Sequence, residues 1–452
     1  MNLNLYHHQK RWLMVDCGVM FGRTGPLDMH AILPDPAYIV ARRSRLEGLV
    51  LTHAHQDHIG AVADLWPSLR CRVFATRFCA AMLRSALVEA GIRDEVPIRL
   101  LEDRARWHLG PFELERIPLT HSTVEMGALA IRTRAGTVLH TGDWKLDPEP
   151  VVGPASDRRA LKRLGKLAVD AVISDSTNAD HEGWTPSEGG LRAPLTELLG
   201  AQEGRVAVTL FASNVARIRT LIEAGAEVGR HPVLLGRSLE RTIKAARSAG
   251  YLRDLPPFVP RREFGFLPRE RVLLLCTGSQ GEPRAGLSRL AADQRSDLYL
   301  EEGDTVVFSA RTIPGNELFI ARLERLFAER GVAVVRGETD GVHVSGHPRR
   351  EELRTLYGWV QPRLVVPVHG TPPKLEAHAQ LAEEQGMQAA RIRNGDILRL
   401  APGPAEVVGH ARTGRIKRVE EDRGRDGRGH RERRDRRDGR DRRRHDPRRR
   451  NR

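Results

Sequence analysis

Four side chains that can bind a metal ion lie within six consecutive residues of this chain. His53, His55, Asp57 and His58 directly follow an apolar run at 49–52. In an extended chain, side chains two positions apart point to the same side, so His53 and His55 can bind one ion. Asp57 and His58 open a helical pattern and can present ligands to a neighbouring ion, and imidazole and carboxylate both suit zinc. Residues 53–58, called the hexad below, therefore predict the start of a two-metal hydrolytic site rather than a histidine-rich surface turn.

Four more acidic or histidine side chains follow strand-like runs elsewhere in the chain, at Asp16, His121, Asp143 and His369. A single His or Asp at a strand end is a weak signal, because such residues are common there. Their joint occurrence with the hexad makes a shared site the better interpretation, since an assembled site needs ligands at strand ends. We expect all four to lie near the hexad.

Strand-like and helix-like segments alternate from about residue 13 to residue 398. The clear strand candidates are 12–15, 49–52, 171–174, 206–211, 272–276, 305–308 and 364–368. Helical patterns occur at 57–66, 213–224, 316–329 and 349–359. This alternation predicts an α/β protein.

Composition limits the class of protein. The chain has 452 residues, 40% of them hydrophobic, which suits about three domain-sized units with real cores. No stretch approaches the roughly 20 apolar residues that a membrane span needs, and no apolar secretory segment begins the chain. We therefore expect a cytoplasmic protein without membrane contact. The four cysteines have no Cys-x-x-Cys pairing and predict buried hydrophobes rather than disulfides or a thiolate metal site.

Most of the net charge of +15 lies in the last 42 residues. The segment 411–452 has 20 Lys and Arg against 9 Asp and Glu, which leaves a net charge of only +4 for the remainder. The segment has almost no apolar residues and is predicted to be disordered. Such an arm can attract phosphate backbones nonspecifically, and the alternative is a solubilising tail.

Ordered motifs along the chain resemble the metallo-β-lactamase fold: Asp16, the hexad, His121, the TGD string ending at Asp143, and His369. A second set resembles the β-CASP branch of that fold, namely SDSTN at 174–178, FASNV at 211–215, TGSQGEP at 277–283, PGNE at 314–317 and HVSGH at 343–347. Within that branch the strings match the ribonuclease J family. The likeness covers about residues 2–398.

The resemblance implies an αββα metallo-β-lactamase sandwich with an inserted α/β β-CASP domain. The expected parts are the first part of the core at 1–182, the β-CASP domain at 183–347, the second part of the core at 348–410 and the disordered Arg-rich tail at 411–452. In the family, an initial strand and a glycine-rich loop precede the residues that begin this chain. Whether the natural start lies upstream of Met1 is left open.

The resemblance also implies the ligands of two zinc ions, with manganese as a possible substitute because mixed histidine and carboxylate sites accept either metal. One ion would be bound by His53, His55 and His121. The other would be bound by Asp57, His58 and His369, with Asp143 bridging both and Asp16 orienting the ligands from behind. Two such ions, about 3.5–4 Å apart, can generate a hydroxide and stabilise the attacked phosphate.

The HVSGH string supplies the remaining catalytic candidates. By resemblance, His347 would protonate the leaving 3′ oxygen and Asp175 would orient that histidine, although a structural histidine on a loop is the alternative. His343, Ser345 and Gly346 resemble the pocket for a 5′-monophosphate end. This pocket would favour 5′ to 3′ exonucleolytic action.

The expected function is thus a metal-dependent ribonuclease that hydrolyses RNA phosphodiester bonds in RNA processing or decay, as a 5′ to 3′ exonuclease with endonuclease activity left open. The expected partner is RNA with a 5′-monophosphate, and a homodimer is possible. Two alternatives remain, a DNA-directed β-CASP nuclease and a non-catalytic RNA-binding protein that works through its basic tail. Intact ligand motifs argue against the second of these.

One segment departs from the family pattern. After His369 the chain reads Gly-Thr-Pro-Pro-Lys at 370–374, where the family usually has an acidic residue directly after the glycine. The loss of that carboxylate is expected to alter how His369 is held.

Overall fold

The structure, a computed structural model, describes residues 1–25, 28–292, 298–313, 315–337 and 340–418. Met1–Ile416 form one compact unit, to which the following description applies. Pro314 of the PGNE string and the predicted disorder of 419–452 lie outside the described residues. Among the described helices, none combines the length and the apolar composition that crossing a bilayer requires.

The strands are short and distributed along the whole unit. They are β1 Asn4–His8, β2 Arg11–Val15, β3 Met20–Gly25, β4 Asp28–Pro34, β5 Leu46–Val50, β6 Val73–Ala75, β7 Ile98–Leu100, β8 Arg106–Leu109, β9 Phe112–Pro118, β10 Gly127–Thr133, β11 Gly136–His140, β12 Ala171–Asp175, β13 Val206–Thr209, β14 His231–Leu235, β15 Val272–Cys276, β16 Thr305–Phe308, β17 Ala333–Arg336, β18 Leu364–Val368, β19 Gln388–Ala389, β20 Asp396–Arg399, β21 Glu406–His410 and β22 Arg415–Lys417.

Helices connect many of these strands. They are α1 Ala37–Val40, α2 Gln56–Ile59, α3 Val62–Leu69, α4 Arg77–Ala90, α5 Arg158–Gly165, α6 Arg192–Gly200, α7 Val215–Glu227, α8 Arg237–Ala249, α9 Gly286–Ala292, α10 Glu317–Ala328, α11 Arg350–Val360 and α12 Pro372–Glu384.

Two sheets packed face to face form the core of the sandwich. One has the strand order β1-β2-β5-β6-β7, and the other has the order β19-β18-β12-β11-β10-β9-β8. Their shared apolar layer includes Leu13, Phe74, Trp107 and Leu129, because alternate side chains of each strand point inward. Helices α3 and α4 pack on the outer face of the first sheet, and α5, α11 and α12 on that of the second. The predicted αββα sandwich is confirmed.

A third sheet is inserted between two neighbouring strands of the sandwich. Its order is β14-β15-β13-β16-β17, and every pairing is parallel. Strands such as β15, with the sequence VLLLC, are buried throughout, as parallel strands covered by helices on both faces must be. The chain leaves the sandwich after β12 and returns at β18, which pairs directly with β12. The inserted α/β β-CASP architecture is also confirmed.

Most predicted elements occur, with three differences. The strand predicted at 49–52 ends at Val50, because the Thr52 N–H bonds to the Asp16 carboxylate instead of a neighbouring strand. The helix predicted over 57–66 is the two helices α2 and α3, since the Ala61 N–H bonds to the Cys17 carbonyl and interrupts the helical ladder. At the start of the predicted disordered tail, β22 forms a strand.

Candidate active site

Seven predicted ligands converge at one edge of the sandwich in two donor groups. The first donor group is His53, His55 and His121, and the second donor group is Asp57, His58 and His369. Asp143 belongs to both, and within each group plus Asp143 one donor atom per residue lies within 4.8 Å of all the others. The carboxylate of Asp143 therefore lies between the two groups.

The ends of strands from both sheets position these donors. The hexad follows β5 of the first sheet, whereas His121, Asp143 and His369 follow β9, β11 and β18 of the second sheet. The backbone of His369 has a left-handed conformation with φ of 55°, which non-glycine residues adopt at a conformational cost. Asp16, which follows β2, is likewise left-handed with φ of 62°. Both residues leave their strand by a sharp turn at the site.

The first donor group has the geometry of a tetrahedral metal site. His55 Nδ1 lies 3.1 Å from His53 Nε2 and 3.0 Å from His121 Nε2. Nitrogen ligands at zinc bond lengths in a tetrahedron lie roughly 3.3 Å apart, so these spacings leave a shared position for one ion. Asp143 Oδ2 is 3.9 Å from His53 Nε2 and completes the donor set. The residues present fit a divalent cation.

The second donor group is richer in carboxylates and more open to solvent. His58 Nε2 lies 3.1 Å from Asp143 Oδ2 and 3.5 Å from Asp57 Oδ2. His369 Nε2 lies 3.4 Å and 3.7 Å from the same two oxygens. The side chains of Asp57 and His369 are 35% and 20% exposed, whereas that of His53 is fully buried. These donors also fit a divalent cation, at a more accessible position.

The pKa values of the histidines differ between the two donor groups. Burial lowers the pKa of His53 and of His121 well below the ordinary value, and lowers the pKa of His55 to about 4. These three imidazoles are therefore neutral at pH 7, as metal ligands must be. Burial also opposes a charge on His58, but the carboxylates of Asp143 and Asp57 outweigh it and raise this pKa well above its usual range.

Hydrogen bonds to Nδ1, the ring nitrogen that faces away from the other donors, fix the rings of three histidines. Asp16 Oδ2 lies 2.7 Å from His58 Nδ1, and Thr52 Oγ1 lies 3.0 Å from His53 Nδ1. The carbonyl of Gly346 accepts from His121 Nδ1 at 2.6 Å. Such partners set the tautomer and hold the opposite nitrogen toward the ion.

Gly346 is required for this close approach to His121. A Cβ atom at position 346 would lie 2.8 Å from His121 Nδ1 and 2.7 Å from Ser122 Oγ. The loop that carries the HVSGH string can therefore reach the first donor group only with glycine at this position.

His347 lies beside both donor groups and is held by Asp175. The distance from His347 Nδ1 to Asp175 Oδ2 is 2.7 Å, and the ring stacks on that of His369 at a centroid distance of 5.7 Å. Although burial disfavours a charged ring, Asp175 and Asp143 raise the pKa of His347 to about 9. At neutral pH the ring thus carries a proton that it can give to a substrate oxygen.

The three residues predicted to bind phosphate each have a different partner in the structure. Ser345 Oγ accepts from Asn178 Nδ2 at 2.9 Å, and Gly346 directs its carbonyl to His121. His343 Nδ1 lies 3.4 Å from Nη1 of the fully buried Arg217, a residue without a prior signal in the sequence. Burial and this guanidinium lower the pKa of His343 to about 3.

Sequence reasoning missed several residues that contact the predicted site residues. They are Asn2, Thr52, Asn178 and Arg217. The Thr52 contact follows from its place directly before the hexad, and the SDSTN string already contains Asn178. Asn2 had no signal, because a single amide residue 367 positions from its partner His369 belongs to no spacing pattern.

Three family models match separate parts of the chain. A beta-lactamase superfamily domain matches residues 11–184, the ribonuclease J beta-CASP domain matches 203–325, and a Zn-dependent metallo-hydrolase RNA specificity domain matches 331–392. A crystal structure of a protein of unknown function from Enterococcus faecalis has the same fold, with a TM-score of 0.57 at 16% identity over 86% of this chain and 94% of that one. The fold and the donor set together define a metal-dependent hydrolase of the metallo-β-lactamase fold with a β-CASP insert.

Similarity to individual proteins over most of this chain identifies the family within this class. Ribonuclease J of Sinorhizobium meliloti is 45% identical over 421 residues, covering 92% of this chain and 75% of the relative. Ribonuclease J of Mycolicibacterium smegmatis is 38% identical, with the same two coverages, and that of Helicobacter pylori J99 is 32% identical, covering 92% of this chain and 60% of the relative. The chain belongs to the ribonuclease J family. It is a hydrolytic, metal-dependent ribonuclease.

Proposed function

We propose that this ribonuclease acts as a 5′ to 3′ exonuclease on 5′-monophosphorylated RNA, with two zinc or manganese ions as cofactors. The observation that carries the two-ion assignment is the position of Asp143, whose Oδ2 lies 3.9 Å from His53 Nε2, 3.1 Å from His58 Nε2 and 3.4 Å from His369 Nε2. One carboxylate oxygen within reach of both donor groups suits a bridging ligand.

The donor groups would bind one ion each. His53, His55 and His121 are the ligands of the first, and Asp57, His58 and His369 are those of the second. When bound, such ions would supply a water of lowered pKa, near 7, and neutralise charge on the attacked phosphate. Asp16, Thr52 and the Gly346 carbonyl keep the rings of His58, His53 and His121 oriented, so that the ligand nitrogens can hold the ions without rearrangement.

His347 would act as the general acid. Its raised pKa keeps the ring protonated at neutral pH, and the hydrogen bond from Nδ1 to Asp175 leaves Nε2 as the atom that gives its proton to the leaving 3′ oxygen. The Asp175 carboxylate is itself fixed by the N–H and the hydroxyl of Thr177, at 2.8 and 2.6 Å. Asp175 is thus a positioning residue for the acid.

The preference for a 5′-monophosphate rests on the loop around His343, Ser345 and Gly346. The loop is joined to the β-CASP sheet through Arg217, which bonds to Ser309 Oγ at 2.6 Å. Arg217 is itself paired with Glu188, so it holds the loop, and the Ser345 hydroxyl and the backbone N–H groups of the loop are what suit a terminal phosphate. Because Gly346 of this loop contacts His121, a terminal phosphate held there would bring the first phosphodiester bond close to the ions.

The remaining assignments are part of the same proposal. Every strand of the parallel sheet falls inside 183–347, which supports that range for the β-CASP domain, with 1–182 and 348–410 as the two parts of the core. The basic segment 411–452 would add nonspecific RNA contacts. A cytoplasmic location and a homodimer complete the proposal.

Three RNA substrates test it: a linear RNA with a 5′-monophosphate, the same RNA with a 5′-triphosphate, and its circular form, each incubated with Mn²⁺ or Zn²⁺. We expect mononucleotides from the 5′-monophosphate RNA and slow or no release from the triphosphate RNA. The Asp143→Ala variant is the control for contaminating nuclease. Cleavage of the circle would reveal endonuclease action, and equal turnover of all three RNAs would refute the 5′-end preference. Faster cleavage of a matched DNA strand would instead favour a DNA-directed nuclease.

A further inference from the structure

The outer nitrogen of a metal-binding histidine usually has a hydrogen-bond partner, and in this site that partner differs from ring to ring. His53 has the hydroxyl of Thr52, His58 has the carboxylate of Asp16, and His121 has the carbonyl of Gly346. For His369 the sequence indicates no such partner, because no acidic residue follows it at 370–374.

The structure supplies His369 with a partner from the opposite end of the chain. Asn2 Oδ1 lies 3.1 Å from His369 Nδ1. The residues after His369 are committed elsewhere: Pro372 and Pro373 begin α12, and the Lys374 ammonium donates to the Thr177 carbonyl. No carboxylate from that segment is needed to complete the contact.

The orientation of the Asn2 amide is set by a backbone group. Asn2 Nδ2 lies 3.1 Å from the Asp57 carbonyl oxygen, which can only accept a hydrogen bond. The NH₂ end of the amide must therefore face Asp57, and the oxygen must face His369. An amide oxygen only accepts, so His369 Nδ1 carries the proton and the lone pair of Nε2 faces the carboxylates of the second donor group.

The backbone of Asn2 is fixed as firmly as its side chain. Its N–H donates to the Asp57 carbonyl at 2.8 Å, and its carbonyl accepts from the Gly18 N–H at 2.9 Å. Asn2 Nδ2 also lies 3.5 Å from Asp57 Oδ2 and 2.9 Å from His58 Nε2. One residue thus contacts all three members of the second donor group and, by the contacts described, no member of the first.

We infer that Asn2 is a positioning residue for the second metal site, where its amide oxygen fixes the orientation of the His369 ring. The inference rests on the two-ion assignment under Proposed function. It makes a selective claim: Asn2 supports binding of the ion at Asp57, His58 and His369 and leaves the ion at His53, His55 and His121 unaffected.

Metal titration of the full chain, tagged only at its C-terminus, tests this claim. Metal-free protein is titrated with Mn²⁺, and free Mn²⁺ is measured by electron paramagnetic resonance. For Asn2→Ala we expect the weaker of the two sites to lose about 10- to 100-fold in affinity, the usual effect of removing a partner of a metal ligand, with the tighter site unchanged. Asn2→Asp keeps an acceptor oxygen toward His369 Nδ1 but places its other oxygen against the Asp57 carbonyl, so it should recover only part of the loss. Asn4→Ala, on β1, is the matched control and should bind both ions as wild type does.

Two outcomes would overturn the inference alone: wild-type affinity of Asn2→Ala for both ions, or an equal loss of affinity at both ions in Asn2→Ala. A wild-type chain that binds only one ion would overturn the two-ion assignment and this inference together. The wild-type titration therefore separates the failure of one from the failure of the other.

Discussion

The two donor groups share Asp143 yet differ in almost every other property. The first consists of three neutral imidazoles, of which His53 is fully buried. The second combines two histidines with a carboxylate, and its members Asp57 and His369 are partly exposed. The first group is a preformed set of ligands, whereas the second is a charged network at the mouth of the site. From this difference we expect tight binding at the first position and easier access at the second.

The largest expected effect comes from removing one ligand of each group in turn. We expect His53→Ala to lose RNA cleavage by at least about 1,000-fold, since an ion contributes several kcal/mol of transition-state stabilisation and each 1.36 kcal/mol is tenfold in rate. His369→Ala should lose a similar rate but retain one tightly bound ion. Metal content by mass spectrometry beside cleavage rates measures both. If His369→Ala loses both ions, the groups are not independent and the comparison fails.

Replacing His347, which lies beside both donor groups, should lower the cleavage rate without changing metal binding. His347→Ala is expected to keep both ions and to lose about 100- to 10,000-fold in the cleavage rate, the usual contribution of a general acid. Single-turnover cleavage and metal analysis of the same preparation measure this. Unchanged turnover would show that His347 is a structural histidine on its loop.

A smaller effect concerns pH. The proton of His347 is needed for cleavage, so the rate should fall as pH rises through its pKa. Asp175→Asn removes the main one of the carboxylates that raise this pKa to about 9, and loss of an adjacent opposite charge lowers a histidine pKa by about 1 to 3 units. The alkaline limb of the rate profile should therefore move to lower pH. A profile identical to that of the wild type would contradict the role of Asp175.

The smallest expected effect is the order in which a chelator removes the two metal ions. Because Asp57 and His369 are partly exposed while His53 is buried, a chelator should remove the ion of the second donor group first. Stepwise dialysis against increasing chelator, with metal content measured at each step, should give an intermediate with one ion per chain. Simultaneous loss of both ions would argue that the shared Asp143 couples the two positions.

Much of the fold and of the donor set could be predicted because both depend on strong local patterns. Buried parallel strands such as β15, β16 and β18 are continuous apolar runs with sharp ends, and their bounds are those predicted at 272–276, 305–308 and 364–368. The hexad, Asp143 and His369 stand where strands end, so their joint occurrence favoured a common site, and the family resemblance supplied the assignment of each ligand.

Other parts could not be predicted, because their cause lies in contacts between distant segments. The break between α2 and α3 depends on the Cys17 carbonyl, and the end of β5 depends on the Asp16 carboxylate. The partner of His369 is an asparagine from the opposite end of the chain. A neutral side chain of common type becomes informative only when the folded backbone places it against a donor.

The span of the donor cluster has a consequence for how the enzyme is made. Its residues extend from Asp16 to His369, and β18, the strand that leads to His369, pairs with β12 only after the whole parallel sheet has been synthesised between them. A nascent chain still attached to the ribosome therefore lacks a complete set of ligands until His369 has emerged.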